Sequence, residues 1–114
     1  MYEYLGLIHD CYDGDTVHMS IDLGFGVWLQ GDTATGGDRY RLARINAPEL
    51  HATGGAASRA YLLELLGSLP AMFTVNTIRD EKDNYGRYLV EITTHDGRNA
   101  SDAMLAAGQA VPWP

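Results

Sequence analysis

The chain holds a single cysteine, Cys11, and a single lysine, Lys82. One cysteine closes no disulfide within the chain and builds no cysteine-based zinc site, so cohesion has to come from packing. Long apolar runs are missing too: no stretch approaches the roughly 18 residues that cross a bilayer. The opening Met1-Tyr2-Glu3-Tyr4 has neither the basic head nor the apolar segment of a secretory signal, so a cytoplasmic protein without membrane contact is expected. Basic charge is scarce: 15 acidic residues face 8 basic ones, a net charge of −7. Non-specific binding to a polyanion rests on many cations, so a broad basic footprint is excluded, and any positive charge must be concentrated at one place or supplied by a metal. Except for Lys82 the basic residues are all arginine, whose planar fork suits two-point contact with a phosphate, although a surface arginine is ordinarily only a solvated charge.

What is present fits one domain of 114 residues, with 46% hydrophobic and 20% charged residues, the balance of an ordinary globular protein. Tyr4 to Tyr12 and Thr16 to Leu23 read as two strands, with Asp13-Gly14-Asp15 as a tight hairpin in which Asp-Gly accepts positive φ. Residues 24 to 38 begin as an extension of strand two and end in a Gly/Thr/Asp-rich loop, expected to be mobile around 31 to 38. Tyr40 to Ile45 is a third strand, stopped by Asn46-Ala47-Pro48. Ala56 to Leu66 carries helical spacing, with Ala57, Ala60, Tyr61, Leu63, Glu64 and Leu65 in the run and Gly67 and Pro70 as stop signals. Met72 to Arg79 and Arg87 to Thr94 are strands four and five around the polar turn from Asp80 to Gly86. Asn99 to Ala107 forms a short helix capped by Asn99 or Ser101. Three strands, a helix, two strands and a helix make a mainly β, α+β chain in the order of an OB-fold: a five-stranded barrel with a helix between strands three and four.

Three segments hold polar residues that such a fold does not itself require. Asp13-Gly14-Asp15-Thr16 places two hard carboxylates at a strand junction, suited to Ca²⁺ or Mg²⁺, yet it is equally a plain turn. Tyr40-Arg41-Leu42-Ala43-Arg44-Ile45-Asn46-Ala47-Pro48-Glu49 delivers a guanidinium, a side-chain oxygen and a carboxylate within nine residues, or simply ends a strand. Strict pleating sends Arg41 and Asn46 to opposite faces, so both serve one site only if the strand bulges or ends before Asn46. Asp83-Asn84-Tyr85-Gly86-Arg87 is either a surface loop or the carrier of a second guanidinium. The four histidines, His9, His18, His51 and His95, show no metal-binding spacing and read as structural or surface residues.

Taken together, Asp-Gly-Asp-Thr, then Arg-Leu-x-x-Ile-x-Ala-Pro-Glu, then Asp-x-Tyr-Gly-Arg resembles the staphylococcal nuclease (thermonuclease-like) family over roughly Leu5 to Trp113. That resemblance implies an OB-fold and a divalent-metal-dependent endonuclease acting on single-stranded or flexible DNA or RNA, expected to be monomeric and to use Ca²⁺, with Mg²⁺ or Mn²⁺ as substitutes. It implies Asp15 as a metal ligand, Asn46 in a second ligand position, the backbone carbonyl of Ala47 as a third oxygen, and Asp13 behind them. Glu49 would be the general base, Arg41 and Arg87 the phosphate clamp, and Tyr85, with Asn84 beside it, a substrate contact.

The chain departs from the family pattern at Asn46, where the best-known member has an aspartate, and at Asn84, where a lysine or arginine is usual. His51-Ala-Thr-Gly-Gly55 replaces a lysine-rich loop. Trp113 stands near the place of a tyrosine and is a candidate stacking surface. Asn46, Asn84 and the acidic balance keep open a non-catalytic OB module that binds single strands or a protein partner. A third reading is an assembly component using Phe25, Trp28 and Trp113.

Overall fold

A computed structural model describes residues 2–31, 37–82 and 88–113. Strands β1 (Tyr2–Asp13) and β2 (Thr16–Gly24) form a hairpin in which Asp13 pairs with Thr16. Strand β3 (Val27–Leu29) folds back on β2, and β4 (Asp38–Leu42) is followed by the two-residue β5 (Ile45–Asn46). Helix α1 (Gly55–Leu66), β6 (Ala71–Lys82), β7 (Tyr88–Thr93), helix α2 (Ala100–Ala106) and β8 (Val111–Pro112) complete the order.

The strands β1, β6, β7, β4 and β2 are hydrogen-bonded in that sequence, and β1 also pairs with β2, so the sheet closes into a five-stranded barrel. Its pairings are antiparallel except β4 with β7. Helix α1 lies between the third and fourth barrel strands and α2 follows the fifth, which is the OB-fold arrangement expected from the element order. Closure follows from the period-two pattern: Val17, Met19 and Ile21, Tyr40 and Leu42, Phe73 and Val75, and Val90 and Ile92 all point inward and are buried. Ile8 and Cys11 are also buried though three residues apart; a register shift between Ile8 and Asp10 absorbs the odd residue. Burial pushes the Cys11 thiol up to about 12, so it stays a protonated core group. Among the described residues, no helix is long and apolar enough to cross a membrane.

Several expectations change in detail. The third strand does not run to Ile45: it stops at Leu42, and Ala43 and Arg44 turn before β5 restarts. Arg44 sits at φ 70°, held there by Glu91 (2.9 and 3.2 Å), Asp102 (2.9 Å) and Asn99 (3.2 Å). The first part of the 24 to 38 excursion is a hairpin, β2 turning through Gly24, Phe25 and Gly26 into β3. Its expected mobility concerns 31 to 38, of which 32–36 lie outside the described residues. Asn99, not Ser101, caps α2, its Oδ1 accepting the Asp102 N–H at 3.0 Å. On α1 the buried stripe is Gly55, Ser58, Leu62 and Leu66, while Ala57, Ala60 and Glu64 face solvent.

Gly14 serves a purpose other than the one its turn suggested. It is not among the glycines with positive φ; instead a Cβ there would lie 1.9 Å from Ser58 Oγ, 2.9 Å from Ser58 Cβ and 3.0 Å from Ala47 Cβ. Ser58 is buried and its hydroxyl donates to the Gln109 carbonyl at 2.8 Å, so it does not yield cheaply. The hairpin tip is therefore pressed against α1 and Ala47 at the distance only a glycine permits. Gly14→Ala is expected to lower stability by about 1–3 kcal/mol, the usual cost of overpacking, measured as a reduced midpoint in urea denaturation.

Candidate functional site

The site is built where the β1–β2 turn meets the end of β4. Asp15, buried at the hairpin tip, accepts three contacts that fix its carboxylate: Thr16 Oγ1 donates to Oδ1 at 3.0 Å, the Ala47 N–H donates to Oδ2 at 2.9 Å, and Arg41 Nη2 lies 3.5 Å from Oδ2. The backbone carbonyl of Asp15 also accepts the Leu42 N–H at 2.7 Å, so the turn and β4 are locked together. Arg41, buried although charged, donates through Nη2 to the Ile45 carbonyl at 3.2 Å and to Asn46 Oδ1 at 2.7 Å. Strict alternation would have separated Arg41 from Asn46. The break at Ala43 and Arg44 is what reunites them, with β5 pinned separately by its pairing with β8.

A cavity of about 610 Å³ opens over this constellation, lined by Asp13, Asp15, Arg41, Asn46, Ala47 and Glu49 together with Tyr12, Arg39, Leu50 and His51. Glu49 is exposed in it; its backbone carbonyl accepts the Ala52 N–H at 2.9 Å, while its carboxylate makes no hydrogen bond or ion pair among the described residues. Trp113 lies under Arg41, its ring centroid 4.4 Å from the guanidinium carbon, so one face of the indole is spent on Arg41. Of the residues singled out from sequence, Asp13, Asp15, Arg41, Asn46, Ala47 and Glu49 thus share one opening and Trp113 backs it. Asn84, Tyr85 and Arg87 lie outside the described residues.

The electrostatics of the turn carry a cost. Burial, then a hydrogen bond with Asp15 and that carboxylate's charge, raise the Asp13 carboxyl to about 6. The folded chain holds this proton more tightly than the unfolded chain, where the group titrates near ~3.9. Its contribution to stability is therefore complete at low pH and is lost as pH rises through about 6. In EDTA, Asp13→Asn is expected to match the wild-type melting temperature under acid conditions and to exceed it at neutral pH. Equal melting temperatures at both would show that Asp13 bears no such penalty.

The oxygen donors here suit a hard cation and not a soft one. Two neighbouring buried carboxylates, one of them holding its proton abnormally tightly, mark a concentration of negative charge that a divalent ion would offset. Asn46 Oδ1, however, is already engaged by Arg41, and among the described residues no group of three or more His, Cys, Asp or Glu is arranged to hold a metal.

A sequence profile of the family described as staphylococcal nuclease homologue matches residues 39–113, well over half of the chain. The chain belongs to that family. A Bacillus subtilis (strain 168) protein named Endonuclease YhcR is 27% identical over 115 residues, covering 98% of this chain and 9% of its own length. An Escherichia coli O157:H7 protein named as an uncharacterized endonuclease is 36% identical over 87 residues, covering 72% of this chain and 54% of its own length. The chain thus spans about half of one relative and under a tenth of the other. The profile match of this nuclease-homologue chain includes Arg41, Asn46, Glu49 and Arg87; the Asp13–Asp15 turn precedes it.

Three contributors to the site were not read from sequence. A Cβ on Gly55 would lie 1.8 Å from the Glu49 carbonyl oxygen, so the start of α1 fixes the backbone that presents Glu49. Nothing in the local pattern distinguishes this glycine from its neighbour Gly54, which has positive φ and where an added Cβ would meet only Pro48 Cγ, at an ordinary contact distance of 3.8 Å. Tyr12 and Arg39 also line the cavity, and the alternation Arg39, Arg41 along β4 was the available signal for the second of them.

Proposed function

We propose that the chain hydrolyses phosphodiester bonds in single-stranded or flexible DNA and RNA, with Ca²⁺, or Mg²⁺ or Mn²⁺, as cofactor. The observation that carries this reading is the convergence of the Glu49 carboxylate, which has no partner among the described residues, and a fixed guanidinium, Arg41, on one cavity large enough for a phosphate. Phosphodiester hydrolysis needs a base for the attacking water and rigid donors for the charge that grows on the phosphoryl oxygens. Glu49, exposed in the cavity, would take the proton from water. Arg41 is held by Asp15, Ile45, Asn46 and Trp113, so it is oriented before substrate arrives. Arg87 is the second candidate guanidinium, and Tyr85 and Asn84 the candidate substrate contacts. Asp15, Asn46 and the Ala47 carbonyl would hold the cation, with Asp13 behind Asp15. A bound divalent ion supplies positive charge to the phosphoryl oxygens and lowers the proton affinity of a water. The chain's relatives bear endonuclease names, which supports the same reaction class.

The test is release of acid-soluble fragments from single-stranded DNA, with each cation against EDTA. Cleavage is expected with Ca²⁺ and absence of cleavage in EDTA; duplex DNA is expected to be cut more slowly than single strands. Cleavage at the same rate in EDTA would overturn the metal dependence.

One observation favours a second reading, an OB module that binds single strands or a protein partner without cleaving. Arg41 already engages Asn46 Oδ1 and stands beside Asp15, so the ligand positions are satisfied internally. That reading expects binding insensitive to EDTA and to Glu49→Gln.

A further inference from the structure

The arginines described in this acidic chain are mostly committed to carboxylates. Arg41 stands by Asp15, Arg44 by Glu91 and Asp102, Arg59 by Asp10, and Arg98 by Asp96. Arg39 differs: it is exposed and forms no ion pair among the described residues, yet it is held in place. Its guanidinium carbon lies 3.9 Å from the centroid of the Tyr12 ring, which in turn meets His18 edge-on at 6.2 Å between centroids.

Tyr12 reaches this position because β1 bulges there. Cys11 pairs with Val17 and Asp13 with Thr16, which leaves Tyr12 as the extra residue. A bulge beside a site typically re-aims one side chain, and here it puts the ring beneath Arg39 at the rim of the cavity that Arg41 and Glu49 line. A guanidinium held over an aromatic face still has N–H groups to donate, available for contact with an anion.

The spacing names the anion. Arg39 and Arg41 are alternate residues of β4, on the same face of the strand, with backbone origins about 7 Å apart. Consecutive phosphates of an extended single strand repeat at a comparable distance. We infer that Tyr12 and Arg39 form a second phosphate subsite, which binds the phosphodiester next to the one at Arg41. This rests on the cavity being a nucleic-acid site, as proposed above. It makes the preferred ligand a strand with at least two consecutive phosphates, and it supplies locally the positive charge that the overall balance lacks.

The experiment measures binding of a fluorescent short oligothymidylate in Ca²⁺ across a salt series, with Glu49→Gln as the parent chain so that no cleavage intervenes. Adding Arg39→Gln is expected to weaken binding about tenfold and to reduce the salt dependence by about one phosphate contact. Adding Arg98→Gln removes the same charge at a distant ion pair and is expected to leave both unchanged. For a dinucleotide with one phosphodiester, the loss caused by Arg39→Gln is expected to be several-fold smaller. Tyr12→Leu is expected to reproduce part of the loss and Tyr12→Phe to restore it. Equal effects of Arg39→Gln and Arg98→Gln, or no oligothymidylate binding at all, would overturn the subsite. Should the wild-type chain fail to cleave while the Arg39 effect persists, the nuclease reading falls and the subsite stands.

Discussion

Replacing Arg41 with methionine is expected to damage the protein twice, in stability and in rate. Arg41 is buried, and its Nη2 serves the Ile45 carbonyl, Asn46 Oδ1 and the Asp15 carboxylate together. Removing it strands Asp15 as a buried charge without its cation, a change that typically costs about 3–5 kcal/mol. Arg41→Lys is expected to be milder but not silent, because an ammonium is a single point charge and does not reproduce the fork. With folded protein, each is expected to hydrolyse single-stranded DNA about 10²–10³-fold more slowly, the usual loss on removing one fixed donor from a developing oxyanion. Urea denaturation and steady-state cleavage on the same preparations check both parts. Arg41→Met with wild-type stability would show that the Asp15 contact carries little weight.

Glu49→Gln is expected to separate rate from stability. Glu49 is exposed, and its carboxylate has no hydrogen-bond or ion-pair partner among the described residues. Surface substitutions of that kind usually change stability by less than about 0.5 kcal/mol. As the proposed base for the attacking water it would be worth about 10²–10⁴ in rate. The expected result is an unchanged melting temperature with cleavage reduced by at least two orders of magnitude. If Arg41 holds the phosphate independently, as proposed, the affinity of Glu49→Gln for a single strand is expected to stay within a few-fold of wild type. Arg41 and Glu49 therefore give opposite signatures, and the pair tells a chemical site from a merely structural cluster.

Much of the fold was legible because period-two burial is written in the residues: Val17, Met19 and Ile21, or Val90 and Ile92, identify their strands unaided. Helix α1 was legible from its length and the stop signals Gly67 and Pro70, but its buried face was not. Ser58 is packed inward, where it meets Gly14 and Gln109, and no local pattern marks a serine for the core. The small ribbon of β5 with β8 escaped because two-residue strands have no periodicity; Val111–Pro112 becomes a strand only through Ile45–Asn46. The convergence of Arg41 with Asn46 could be posed as a requirement, that the strand break before Asn46. The sequence alone did not reveal that Arg44 at positive φ, tied to Glu91 and Asp102, is the device that meets it. Tyr12 was invisible for a similar reason, since a bulge in β1 is a property of the pairing and not of the tyrosine.

The candidate site was legible as residue types in order, and less so as contacts. Asp15, read as a metal ligand, is found accepting the Ala47 N–H and facing Arg41; Asn46 faces the same guanidinium. A cation entering here has to compete with Arg41 for both oxygens. That competition is why metal affinity is expected to be modest and why Glu49 and Arg41, rather than the Asp15 turn, form the firmer part of the site.

The most direct measurement is cleavage of a labelled single-stranded oligonucleotide in Ca²⁺ by the wild-type chain and by Glu49→Gln, with binding followed on the same samples. The expected result is metal-dependent cleavage by the wild type, a loss of at least about 10²-fold in Glu49→Gln, and binding retained in both. Equal cleavage by the two chains, or binding without cleavage by either, would contradict the assignment of this cavity as a phosphodiester-hydrolysing site.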